Sequence, residues 1–248
     1  MLRPISLIVS FTLAGLPSIF GGTLTPIQDN QVQSGANATK IMGTNGSDPT
    51  MQLAARDGDF NRKVYLDFDI TSALSAGQEF SDATLSLTTS GLVGSAGSFP
   101  SVTFNVYGLT GATTWSESTI TWNTAPYNNT PSALALDTAR SILLGTFTVT
   151  TSNVTNQTYT FNGGSGALAT YLNWAAGRLG DYYGTTVTSR PAASIVLTAA
   201  TGPNSSQPGV AIYSSESTTP AYVPALTFTT AASPEAASAA TLAAGGCL

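Results

Sequence analysis

The chain has 248 residues with 8 Lys+Arg, 13 Asp+Glu and no histidine, giving 8% charged residues and a formal net charge of −5. An ordinary soluble domain carries roughly 25% charge. A sequence pI near 4.4 excludes an electrostatic nucleic-acid binder, and the missing histidine excludes every mechanism built on a histidine base or ligand. The single cysteine, Cys247, excludes an intrachain disulfide or a thiolate metal cage. With 42% hydrophobic residues the chain has the material for a core.

In chain order, Arg3 precedes an uncharged apolar run over 5–16, and small residues follow to Gly22. This pattern predicts a signal peptide over 1–22, hence a secreted or cell-surface protein with no membrane span in the mature chain. From about residue 25 to 230 the dominant signal is period-two alternation in short runs. The runs fall at 64–70, 83–87 and 102–106, then around 147–149, 159–161, 195–197, 210–212 and 226–228. Alternation of this kind puts one face of each strand in a core and the other in water. Gly, Asn, Asp, Ser and Pro clusters separate the runs as turns.

One segment breaks the period. Over 166–179, Leu168, Tyr171, Leu172, Ala175 and Leu179 share a helical stripe, which predicts an amphipathic helix across an end or edge of the strands. The Ala-rich stretch 231–248 reads as a flexible terminus. The expected fold of 23–230 is therefore all-β: a jelly-roll β-sandwich of about ten strands with one short amphipathic helix.

Several strings are more specific. They are Val64-Tyr65-Leu66-Asp67-Phe68-Asp69-Ile70, Ala83-Thr84-Leu85-Ser86-Leu87, and Trp115-Ser116-Glu117-Ser118-Thr119-Ile120-Thr121-Trp122-Asn123 with Pro126. The closing strings are Tyr213-Ser214-Ser215-Glu216-Ser217 and Val223-Pro224-Ala225-Leu226-Thr227-Phe228. Together they resemble the DNRLRE-domain family, also classed among carbohydrate-binding modules, over residues 28–230. The resemblance implies a β-sandwich on a secreted or surface protein that binds an acidic polysaccharide such as alginate. Ser215 and Val223 stand where many members carry arginine.

Candidate ligand residues follow. Arg56, Arg62 and Lys63 are three of only eight cations and could grip a carboxylate or sulfate. Trp174, Tyr182 and Tyr183 could stack on a sugar ring. Trp115 and Trp122 belong to the signature string and read as fold residues, with Glu117 bonding backbone N–H groups. Asp57 and Asp59 are candidate ligands for a structural Ca²⁺, which needs six to eight oxygens. Asp67 and Asp69 share a strand face and read as solvated surface acids, while Glu117 and Glu216 have no partner visible in the sequence. No pair matches a glycosidase. The expected function is non-catalytic binding of an extracellular polysaccharide, without nucleic-acid partners. The alternative is a self-associating surface or matrix protein, because long Ser/Thr-rich edges lack lysine gatekeepers.

Overall fold

A computed structural model describes residues 20–43, 46–56, 60–95, 97, 99–111, 113–184, 190–204 and 206–233. The first nineteen residues of the expected leader lie outside that description, as does the Ala-rich end from 234 onward. In chain order the strands are β1 (Phe20–Leu24), β2 (Gln28–Gln33), β3 (Thr50–Leu53), β4 (Arg62–Asp69), β5 (Gln78–Val93), β6 (Ser101–Leu109), β7 (Ser141–Thr150) and β8 (Gln157–Phe161). The helix α1 (Ala167–Ala175) precedes β9 (Ala192–Ala199), β10 (Gly209–Tyr213) and β11 (Ala225–Ala232).

Two antiparallel sheets stack as a sandwich. One runs β2-β4-β9-β6-β7; the other runs β1-β11-β5-β10-β3, with β8 also on β5. Consecutive strands lie in opposite sheets from β1 through β6 and again from β7 through β10, the crossing pattern expected of a jelly roll. The sixteen-residue β5 organises the second sheet. Its residues 78–86 pair with β11 and 89–93 with β10, while β8 pairs residues 85–89. The overlaps at Leu85 and Thr89 place β10 and β11 end to end on one edge of β5 and β8 on the other.

Alternation works between the sheets as expected. Val64, Leu66 and Phe68 of β4 meet Leu85 and Leu87 of β5, Phe104 and Val106 of β6, and Ile195 and Leu197 of β9 in one cluster. The helix packs against β5, β7 and β9, so it touches both sheets and plugs one end of the sandwich. Asn173 anchors it by accepting from the N–H of Phe80 (2.7 Å) and donating to its carbonyl (2.9 Å).

The outer face of the five-stranded sheet departs from expectation. The segment 110–140 folds over it, and Ile120, Trp122, Ala125 and Leu136 bury Val32, Tyr65, Leu109 and Val196 beneath them. Thus Ile120 and Trp122 are fold residues, as read, but they fill a second core outside the sheets. Asp67, expected on a wet face with Asp69, is buried at 5% exposure, and that burial raises its carboxyl pKa. Asp69 fits the reading: it accepts from the Thr71 N–H and hydroxyl, which hold its pKa down. Among the described residues no helix is long and apolar enough to cross a membrane.

Candidate functional site

Arg62 and Lys63 are neighbours on β4, so their side chains leave opposite faces. Arg62 stays half-buried at the rim, donating from Nε to Gln33 Oε1 (2.9 Å) with its guanidinium 5.8 Å from the Phe60 ring. Burial and the charge of Arg56 both lower its pKa, so the two arginines are close enough to feel each other. Lys63 does not join them, which corrects the expected three-cation spot. It is fully buried, and its Nζ donates to Asn128 Oδ1 (2.7 Å), Ser132 O (3.0 Å) and Ala135 O (2.6 Å). The Trp122 ring lies 4.7 Å away on the same ammonium.

The aromatic candidates form a chain from core to surface. Trp174 is fully buried, stacked on Tyr171 at 5.9 Å, edge-on to Tyr183 at 5.3 Å and covered by Arg190 at 4.4 Å. Its faces are spent on packing because α1 is buried nearly all round, so Trp174 is corrected from platform to core. Tyr183 is half-buried, and burial with the neighbouring Tyr182 pushes its phenol up to about 12. Tyr182, at 58% exposure, is the one member of this trio whose ring is open to solvent. Asp57 and Asp59 lie outside the described residues.

A different set of acids converges. Asp29 of β2, Glu117 of the signature string and Glu216 of the closing string bring carboxylate oxygens within 4.8 Å of one another. Asp29 donates its backbone N–H to Glu117 Oε2 (3.2 Å), and Asn30 Nδ2 donates to Glu117 O (2.7 Å). The Ser215 N–H donates to Asp29 Oδ2 (2.8 Å). The Ser215 hydroxyl lies 3.1 Å from Asp29 Oδ1 and 2.6 Å from Glu216 Oε1. A hydroxyl has one hydrogen. It can donate to only one of the two carboxylates at a time, so Asp29 and Glu216 compete for it. Burial first, then the charges of Glu216 and Glu117, push Asp29 up to about 7, and burial also raises Glu117. Glu216 Oε2 is buried without a hydrogen-bond partner. These three acids are the described residues placed to hold either a shared proton or a cation. Sequence reading singled out two of them and missed Asp29, which sits in a strand with no alternating signal.

This cluster dictates a pH response. Asp29 titrates near 7 folded and near 3.8 unfolded, so the folded chain binds more protons between those values. Stability therefore falls as pH rises from about 4 to 7, by the order of a few kcal/mol. Glu216→Gln removes one repelling charge and is expected to flatten that slope in thermal melts between pH 4 and 8. An unchanged slope would show that the three groups do not interact. Added calcium above pH 7 separates a shared proton from a held ion, since only an ion site gains stability from it.

A second feature lies on the open side of the sandwich, where β7 and β8 end their sheets. A cleft of about 320 Å³ is lined by Gly145 and Thr146 of β7, Thr160 and Phe161 of β8, and the turn 162–164. The β7 strand is bulged there, since Val106 pairs with Gly145 but Tyr107 pairs with Leu143. Gly145 has φ +147°, and a Cβ on it would lie 3.1 Å from the Phe161 ring and 3.7 Å from Gly163; its bare backbone keeps the two walls apart. Asn162 Oδ1 accepts from the Gly164 N–H (3.0 Å) and holds the turn. The sequence offered these strands but gave no sign that their ends meet.

Two stacked antiparallel sheets with a shallow cleft along one edge are a scaffold that binding modules share with many other proteins. The chain belongs to carbohydrate-binding module family 96, whose model matches residues 22–174. No curated protein matches the chain. The matched stretch contains both walls of the cleft together with Asp29 and Glu117, and it stops before β9, β10 and β11.

Proposed function

We propose that the protein is a secreted, non-catalytic module that holds an extracellular polysaccharide. Family membership over residues 22–174 carries the carbohydrate reading. The acids support a non-catalytic role. A glycosidase sets two carboxyl groups across a bound sugar, whereas the cavity beside Asp29 and Glu216 has a volume of about 10 Å³, room for about one water and not for a sugar ring. Asp67 is under the 110–140 cover, and none of the cleft-lining residues titrates as an acid. The leader pattern over 1–22 supports export.

The finer resemblance to DNRLRE domains points to an acidic glycan of the alginate type, for which Arg56 and Arg62 are the remaining cationic pair. Affinity electrophoresis through gels containing single polysaccharides tests the reading. Retardation by at least one glycan is expected, without release of reducing sugar from it. Migration unchanged by every glycan in the panel would overturn binding, and sugar release abolished by Glu117→Gln would overturn the non-catalytic role.

A self-associating structural role is the second reading, favoured by β7. This ten-residue sheet edge has no charged residue and leaves Leu143 half exposed, the kind of edge that pairs with another strand. Filaments or sheets in negative-stain images of glycan-free protein would favour it over the binding module.

A further inference from the structure

We infer that Asp29, Glu117 and Glu216 form a calcium site that clamps together three segments distant in the chain. The inference stands apart from the carbohydrate reading, and it names a different set of acids from the Asp57 and Asp59 that the sequence suggested. Three observations carry it.

The first is a shortage of hydrogens. Asp29 is 1% exposed. The Ser215 N–H serves Asp29 Oδ2, and the Asp29 N–H serves Glu117 Oε2. The one Ser215 hydroxyl hydrogen lies between Asp29 Oδ1 and Glu216 Oε1 and reaches only one of them. Glu216 Oε2 is buried with no partner at all. When the hydroxyl turns to Glu216, the almost wholly buried Asp29 carboxylate is left with an unmatched oxygen as well. Buried carboxylate oxygens without donors are costly unless a cation meets them. The charges felt by Asp29 are those of Glu216 and Glu117, and the charge felt by Glu117 is that of Glu216; each is another anion.

The second is geometry. Oxygens that share one calcium ion at about 2.3–2.6 Å lie no more than about 5 Å from one another, and the three acids bring oxygens within 4.8 Å. Asp29 and Glu216 border a cavity of about 10 Å³ together with Asp48, Gly43 and Gly46, room for about one water-sized particle. Magnesium keeps several of its waters and does not fit there with them, whereas calcium exchanges its own for protein oxygens. Three carboxylates offer about six oxygens, and Asp48 on the same cavity adds to the roughly six to eight that calcium takes. An all-oxygen set disfavours the softer metals that prefer nitrogen and sulfur.

The third is how the acids are held. Asp29 lies on β2, Glu117 in the cover over the five-stranded sheet, and Glu216 after β10. Asn30 Nδ2 donates to Glu117 O (2.7 Å), and Ser214 Oγ donates to Asp48 O (2.5 Å), so the backbone beside the acids is fixed. A Cβ on Gly46 would lie 2.8 Å from Glu117 Cγ; its bare backbone lets the turn before β3 close against the cluster. Ligands set in place beforehand spare the ion the cost of ordering them. The ion in return ties β2, the cover and the closing string to one point.

The test is isothermal titration calorimetry with calcium chloride, alongside thermal melts at pH 7.5 in 10 mM calcium, 10 mM magnesium or EDTA. The proteins are wild type, Glu216→Gln, Ser215→Arg and the Asp57→Asn/Asp59→Asn double variant. One calcium per chain is expected, with a Kd of about 10⁻⁴ M or tighter. Calcium at about a hundredfold excess over that Kd raises Tm by about 5 °C or more, and magnesium raises it by less than half as much. Affinity falls at least about tenfold in Glu216→Gln. Calcium binding is abolished in Ser215→Arg, whose guanidinium takes the ion's place, and the 57–59 double variant binds as wild type does. Should the arginine variant fail to fold, Glu216→Gln, which keeps size and shape, decides alone. Wild type that takes up no calcium by either measurement would overturn the site. So would full affinity retained in a folded Glu216→Gln, or binding lost in the 57–59 variant, each of which would put the ion elsewhere. Glycan retardation is read separately, so either inference can fail without the other.

Discussion

A chain ending at Trp174, where the family match stops, is expected to show no cooperative unfolding transition. The reason is the position of the strands that follow. β9 lies between β4 and β6, pairing Val64 with Leu197 on one side and Phe104 with Ala199 on the other. Its loss divides the five-stranded sheet and removes Ile195, Val196 and Leu197, all fully buried. The same truncation strips β10 and β11 from one edge of β5, with Val210, Ile212 and Leu226. Each such side chain contributes about 1.5–3 kcal/mol by burial, so the six together match the ~5–15 kcal/mol net stability of a whole domain. Circular dichroism melts of residues 20–174 and 20–233 compare the two directly. A sharp transition in the shorter chain would show that the matched segment is a folding unit and that the sheet order above is wrong.

Lys63→Ala is expected to cost about 3–5 kcal/mol while leaving glycan binding intact wherever the variant remains folded. The three N–H donors of the ammonium meet three acceptors, one on Asn128 and two on the backbone of 132–135. Asn128 is held in turn by donating to Trp122 O (2.6 Å), and the Trp122 indole donates to Thr130 O (3.0 Å). Removing the amine strands all three acceptors in the dry second core and opens a cavity between strand and cover. Lys63→Met separates these effects by restoring volume without donors. Burial lowers the amine to about 7 from 10.5. Between those values the unfolded chain binds more protons, so wild-type stability rises with pH across that window. The rise is expected to vanish in Lys63→Met. Urea titrations at pH 7 and pH 10 measure both, and an alanine variant within 1 kcal/mol of wild type would mean that the amine is not held indoors. Arg62→Ala, one residue away on the rim, is expected to cost under about 1 kcal/mol.

The contrast between these two neighbours marks what a sequence shows and what it hides. Alternation over 64–70 correctly separated Val64, Leu66 and Phe68 from Tyr65 and Asp67. It carried no information about the 110–140 segment that later covers the second set, so those residues read as wet. β2 was invisible for the opposite reason. Asp29, Asn30, Gln31 and Gln33 are all polar and all buried, and they are stabilised by side-chain hydrogen bonds to distant loops. A buried strand whose one apolar residue is Val32 leaves no hydrophobic period to detect. The helix was legible because one stripe suffices to reveal it, yet its burial on the remaining sides, which consumes Trp174, was not. The carboxyl cluster and the cleft both arise where segments far apart in the chain meet, and neither has a local pattern.

The pairing of β1 with β11 has a kinetic consequence. Gly22 lies opposite Phe228, so this contact closes a loop of roughly two hundred residues, an entropic cost that grows with loop length. As the polypeptide leaves the ribosome, β5 emerges long before β10 and β11, its two partners along one edge, and β4 long before β9. The nascent chain thus carries half-finished layers until its final strands appear, and the sandwich must assemble after synthesis, at the slow pace of topologies dominated by distant pairings.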